Sequence, residues 1–92
     1  MTTQQIIIEA AREFGVSAQE MLAVAYCESR FKLEARNPSG ASGLFQFMPL
    51  TFRANSARLG YVIEDIWDAT AQSRTAAEMF SRNQQFQWVC KG

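Results

Sequence analysis

CESRFKLEARNPSGASGLFQFMPLTF, Cys27 through Phe52, places a single carboxylate, Glu28, directly behind the apolar run MLAVAYC. A polar, glycine-rich connection follows, and a second apolar run closes on Pro49. A glutamate at the end of a helix is ordinarily a solvated surface group, because Glu is so rarely buried. The alternative is an acid held against the wall of an apolar cleft. There the charged form is disfavoured, the pKa rises, and the group can donate a proton near neutral pH. The residues downstream of Glu28 decide between these readings.

Working outward, NPSGASG is turn chemistry, and no helical period survives from Phe31 to Gly43. LFQFM alternates, with Leu44, Gln46 and Met48 on one side and Phe45 and Phe47 on the other. This predicts a short strand or hairpin arm. Upstream, Ile7, Ala10, Ala11 and Phe14 share one face of a helix over 2–14, stopped by Gly15. SAQE has the form of a capping box, with Ser17 as N-cap and Glu20 at the third position. It opens a helix from Ala18 to about Arg30, apolar on nearly every side through Cys27, and hence expected to be the central, buried one. Downstream, Pro49 suits the first turn of a third helix ending near Leu59, before Gly60. Asp68 caps a fourth over 69–81. The pattern is mostly α with one small β excursion, an α+β class in a single domain spanning 1–92.

The bulk properties exclude much. The 92 residues are 48% hydrophobic, as in an ordinary folded domain, and nine basic residues balance nine acidic ones with no concentration of Lys or Arg. Electrostatic capture of nucleic acid is not expected. The chain has no histidine, which removes Ser-His-Asp and Cys-His catalysis and most zinc sites. No cofactor or metal is expected. The longest apolar run, Met21 to Cys27, is far too short to span a bilayer, and MTTQQIIIEA does not read as a secretory signal.

Gln46 and Met48 are the second candidate pair. An amide offers a donor and an acceptor to the N-acetyl and hydroxyl groups of an amino sugar, although a satisfied turn amide beside a core methionine is the plainer reading. Trp67, Trp88, Tyr26 and Tyr61 could stack on sugar faces, but in a domain this small the tryptophans are expected first of all to pack.

Glu28-Ser29, then Gly40-Ala41-Ser42-Gly43-Leu44, then Gln46, Met48-Pro49 and Thr51 resemble, in order and spacing, the signature of the soluble lytic transglycosylases. The dipeptide Cys27-Glu28 and the terminal Trp88-x-Cys90 also resemble resuscitation-promoting factor domains, with Val89 where those carry proline. The resemblance implies a lysozyme-like fold with the β element beside a cleft, acting as a monomer on the glycan strands of peptidoglycan. It implies that Glu28 is the catalytic acid and that Gln46, Met48 and, more weakly, Asn37 line the sugar site. The expected bond is the β-1,4 link between N-acetylmuramic acid and N-acetylglucosamine, cleaved to 1,6-anhydro products. The family's longer members place a tyrosine near the acid in a segment that has no counterpart here; Tyr61, Tyr26 or water is left to fill that role. Cys27 and Cys90 read on their own either as buried thiols or as a bridge, and the second resemblance favours the bridge. The expected location is the cell envelope, the periplasm or the exterior, with a virion as one alternative. Competing readings are a non-catalytic glycan-binding module, a structural part of a virion or secretion machine, and a muramidase that hydrolyses.

Overall fold

A computed structural model describes residues 1–90. Helix α1 (Thr3–Phe14) begins one residue later than the pattern suggests, because Thr2 is its cap. The Thr2 hydroxyl accepts from the Gln5 amide at 3.1 Å, and the Gln5 side chain accepts from the Thr2 amide at 2.7 Å. Gly15, at φ 67°, ends it in the left-handed conformation. Helix α2 (Ala18–Ser29) starts on the Ser17 hydroxyl, which accepts from the Glu20 amide. Helix α3 (Pro49–Ser56) carries proline in its first turn and tightens into a 3₁₀ turn, Ala57–Leu59, before Gly60. Helix α4 (Ala69–Ser81) is capped by Asp68, whose carboxylate accepts from the Ala71 amide at 2.8 Å. Two further 3₁₀ turns, Ile63–Trp67 and Gln85–Gln87, escape the sequence reading because they are too short to set a period.

The fold is mostly helical, as expected, but two details differ. Helix α4, not α2, holds the centre: it buries nine residues, from Ala69 to Phe80, whereas α2 buries Met21, Val24, Ala25 and Ser29 and leaves Tyr26 outside. Ala71, Ser73, Thr75, Ala76 and Ala77 in α4 are completely buried. Small side chains let α1 and α3 come close to the backbone of α4, and hydropathy carries little trace of that.

The second difference is the strand over 44–48. The β content is reduced to isolated antiparallel bridges, Arg36 with Ser42 and Ser42 with Phe47. Ser42 and Phe47 exchange both backbone hydrogen bonds, at 2.9 and 3.0 Å, and the chain between them is a tight loop. The alternation therefore fails. Leu44, Phe45 and Phe47 all point inward, at 1%, 0% and 3% exposure, while Met48 is 44% exposed. Gly43, at φ 82°, makes the loop possible, and a Cβ there would lie 2.2 Å from the Gln72 carboxamide nitrogen.

That carboxamide is the bolt of the structure. Gln72, fully buried in α4, accepts from the Phe45 amide at 2.7 Å and donates to the carbonyls of Ser42 at 2.9 Å and Ile66 at 2.6 Å. The Phe45 amide and the Ile66 carbonyl, which burial would otherwise leave unpaired, are thus satisfied by one side chain, and the Ser42 carbonyl, already paired with the Phe47 amide, gains a second donor. Beneath the loop, Phe45, Phe47, Phe52, Phe80 and Trp88 pack edge-on or tilted with ring centroids 5.5–6.2 Å apart. Trp88 is 5% exposed and its indole N–H donates to the Phe45 carbonyl at 2.9 Å, so it packs, whereas Trp67 is 41% exposed. Cys27 and Cys90 are bridged, with their Cα atoms 5.7 Å apart.

Candidate active site

Glu28 sits in the last turn of α2, half-buried. The next residue fixes where that turn points. Ser29 is 4% exposed, and its hydroxyl lies 2.8 Å from the Leu44 carbonyl and 3.0 Å from that of Ala25, so its single proton ties the helix end to the loop. Past it, Arg30 and Phe31 both take positive φ, 55° and 63°, and swing the chain sharply away from the helix axis.

The cleft beside Glu28 holds about 130 Å³. The loop contributes Gln46, Phe47 and Met48; α3 contributes Thr51; α4 contributes Met79; the C-terminal segment contributes Gln87 and Trp88. Glu28 is the one ionisable side chain among these described lining residues. Burial pushes its carboxyl above the usual range, and no neighbouring charge adds to the shift. Two larger hollows lie elsewhere. One, between α1 and α4, is lined by Glu9, Glu13 and Arg74; the other, by Glu20, Val24, Phe80 and Gln85. In the first, the Arg74 guanidinium bonded to Glu13 holds that carboxyl below the usual range, the opposite of Glu28, so size is a poor guide here.

Gln46 reaches the cleft with half of its amide already committed. Its nitrogen donates to the carbonyls of Ala35 at 3.0 Å and Gly43 at 2.9 Å, leaving the side-chain oxygen as the group it can offer a ligand. Its own backbone is at φ 52°, so the loop holds it against its intrinsic preference. Met48, the residue before α3, sets a half-exposed thioether at the rim.

Asn37 and Tyr61 are not brought into this cleft. The Asn37 side-chain oxygen accepts from both the Ser39 amide, at 2.8 Å, and the Ser39 hydroxyl, closing the NPSG turn from outside. The Tyr61 hydroxyl accepts from Arg74 at 2.9 Å, and Arg74 also donates to both carboxylate oxygens of Glu13, at 2.9 and 2.7 Å. Tyr61 thereby helps clasp α1 to α4. Tyr26 lies against Phe31 and under the Arg30 guanidinium, likewise outside the cleft lining. Thr51 and Gln87 are the polar lining residues that the sequence reading did not propose. Thr51 stood in the motif and was the findable one. Gln87 carries no local signal.

A small helical body with a partly desolvated carboxyl over a shallow groove has the make-up of a lysozyme-like glycosidase domain. The profile of the Transglycosylase SLT domain matches residues 5–88, and the chain belongs to that family. Among curated relatives, the protein named Probable transglycosylase IsaA from Staphylococcus aureus strains Newman, Mu50 and N315 is 54% identical over 39 residues. The matched stretch covers 42% of this chain and 17% of the relative. Among the described residues no helix is long and apolar enough to cross a membrane.

Proposed function

We propose that this domain cleaves the β-1,4 bond between N-acetylmuramic acid and N-acetylglucosamine in peptidoglycan by the lytic transglycosylase route, with Glu28 as its single acid and base. Family membership supports the reaction class, and one observation supports the route. Glycosidases that use two carboxylates hold them roughly 5–9.5 Å apart across the sugar. Glu28 has no second carboxyl among the described residues of its cleft. Glu34 lies exposed in the loop that follows α2, and Glu64, Asp65 and Asp68 belong to the turn and cap ahead of α4.

The chemistry closes without a partner. Protonated Glu28 gives its proton to the glycosidic oxygen as the bond to C1 breaks, and the substrate's own N-acetyl carbonyl stabilises the positive charge that develops at C1. Glu28, now ionised, takes the proton of the C6 hydroxyl as that oxygen bonds to C1 and closes the 1,6-anhydro ring. The acid is regenerated and no water is consumed. A carboxyl pushed upward by burial suits both halves of the cycle. Gln46 would accept a hydrogen bond from the sugar, and Met48 would supply apolar contact at the rim. The substrate places the site of action at the cell wall, and one chain suffices for the reaction.

Digestion of purified peptidoglycan followed by mass analysis tests this. Anhydromuropeptides, each lighter by one water than the reducing-end product, are expected, and Glu28→Gln should reduce their release by at least a hundredfold. Reducing-end products would make the enzyme a hydrolysing muramidase. Activity undiminished in Glu28→Gln would remove Glu28 from the chemistry.

A further inference from the structure

The cleft has a polar wall that the Glu28–Thr51 window does not supply. We propose that Gln87 is a substrate-binding residue, its side-chain oxygen accepting a hydrogen bond from an amide N–H or hydroxyl of the amino sugar bound beside Glu28. The inference rests on the cleft being the glycan site proposed above.

Gln87 lines the same cleft as Glu28 and, unlike its neighbour Trp88, is exposed, so it is not a packing residue. Its amide nitrogen donates to the Gln84 side-chain oxygen at 2.8 Å, and its backbone N–H donates to the Gln84 carbonyl at 3.1 Å. These two bonds orient the carboxamide and leave its oxygen with no partner among the described residues. The segment carrying it is anchored on both sides of the cleft wall. Trp88 is locked under the loop by its bond to Phe45, and Cys90 is tied to Cys27, the residue before Glu28. An acceptor held at low conformational freedom beside the acid is arranged before any ligand arrives. With Gln46 it gives the cleft two carboxamide oxygens and no second charge, which suits the N–H and O–H groups of a neutral N-acetylated sugar.

The test compares the wild-type chain with Gln87→Ala, Gln87→Glu and Gln87→Lys on soluble peptidoglycan glycan strands. Gln87→Ala should raise KM about fivefold, the effect of one neutral hydrogen bond, with kcat within twofold. Gln87→Glu should move the high-pH limb of the rate profile upward and Gln87→Lys downward, because a charge in the cleft shifts the ionisation of Glu28. Melting temperatures should be unchanged, since the side chain is exposed. An active wild type with unaltered KM and unmoved limbs in the variants overturns the role of Gln87 and leaves the proposed function standing. So does a KM change matched by loss of melting temperature, which assigns the residue to folding. If the wild type cleaves nothing, the proposed function falls, and sedimentation with insoluble peptidoglycan decides for Gln87. There, weaker binding of Gln87→Ala supports the role, while equal binding, or none by either protein, overturns it.

Discussion

At Glu28 the cost of half-burying a carboxyl is written into stability. Burial raises its folded-state pKa above the unfolded value, so the folded chain holds its proton more tightly than the unfolded one. Between those two values stability falls as pH rises, and above both the folded state carries the full penalty of a half-buried carboxylate. Glu28→Gln removes that penalty. Its stability relative to wild type, followed by urea denaturation, should be greatest near neutral pH and should shrink below about pH 4, where both states of the wild type are protonated. A difference independent of pH would show that the carboxyl is not desolvated. Gly43 sets the opposite kind of constraint. A methyl group there meets the Gln72 nitrogen at 2.2 Å, its carbonyl carbon at 2.8 Å and the Ile66 carbonyl at 3.0 Å, on a backbone at φ 82°. Gly43→Ala should therefore cost about 3 kcal/mol or more, from strain and the broken Gln72 bonds together, and a substitution tolerated in thermal melting would refute the close approach.

Among the elements, those with a local signal were legible and those made by distant contacts were not. Thr2, Ser17 and Asp68 mark helix starts through bonds within a few residues, Pro49 does so by its fixed φ, and Gly15 and Gly60 mark ends by their backbone freedom. The loop over 44–48 looked like a strand because two aromatics alternate with other residues. Its shape in fact comes from Gln72, 27 positions beyond Phe45, which no short-range pattern could pair with it. Of the proposed site residues, Glu28, Gln46 and Met48 share a cleft because a dense motif ties them together. Asn37 and Tyr61 lacked that support and lie elsewhere. The centrality of α4 was hidden for a related reason, since Ser73 and Thr75 read as polar yet are completely buried. The hydroxyl of Thr75 has no partner among the described residues. Replacing it with the isosteric valine removes a desolvated polar group without opening a cavity, so Thr75→Val should stabilise the domain by about 1 kcal/mol in denaturant unfolding. A loss of stability instead would reveal a partner, such as a bound water, for that oxygen.

For the molecule as a whole, the bridge between Cys27 and Cys90 closes a loop over a sequence separation of 63, nearly the whole distance from α2 to the end of the described chain. On the chain-entropy account such a loop is worth about 4 kcal/mol, a large share of the stability of a domain this size. Reduction with dithiothreitol should lower the unfolding free energy by about that amount, and an unchanged denaturation midpoint would rule the covalent tie out as a stabiliser. Its position matters as much as its strength. One sulfur belongs to the residue next to the acid and the other to the segment that bears Trp88 and Gln87, so the bond joins the two halves of the groove's machinery. Wherever thiols are kept reduced, a freshly made chain is a tool with one jaw unfastened. Oxidation fastens it, so the redox state of the surroundings sets how firmly the two sides of the groove are held together.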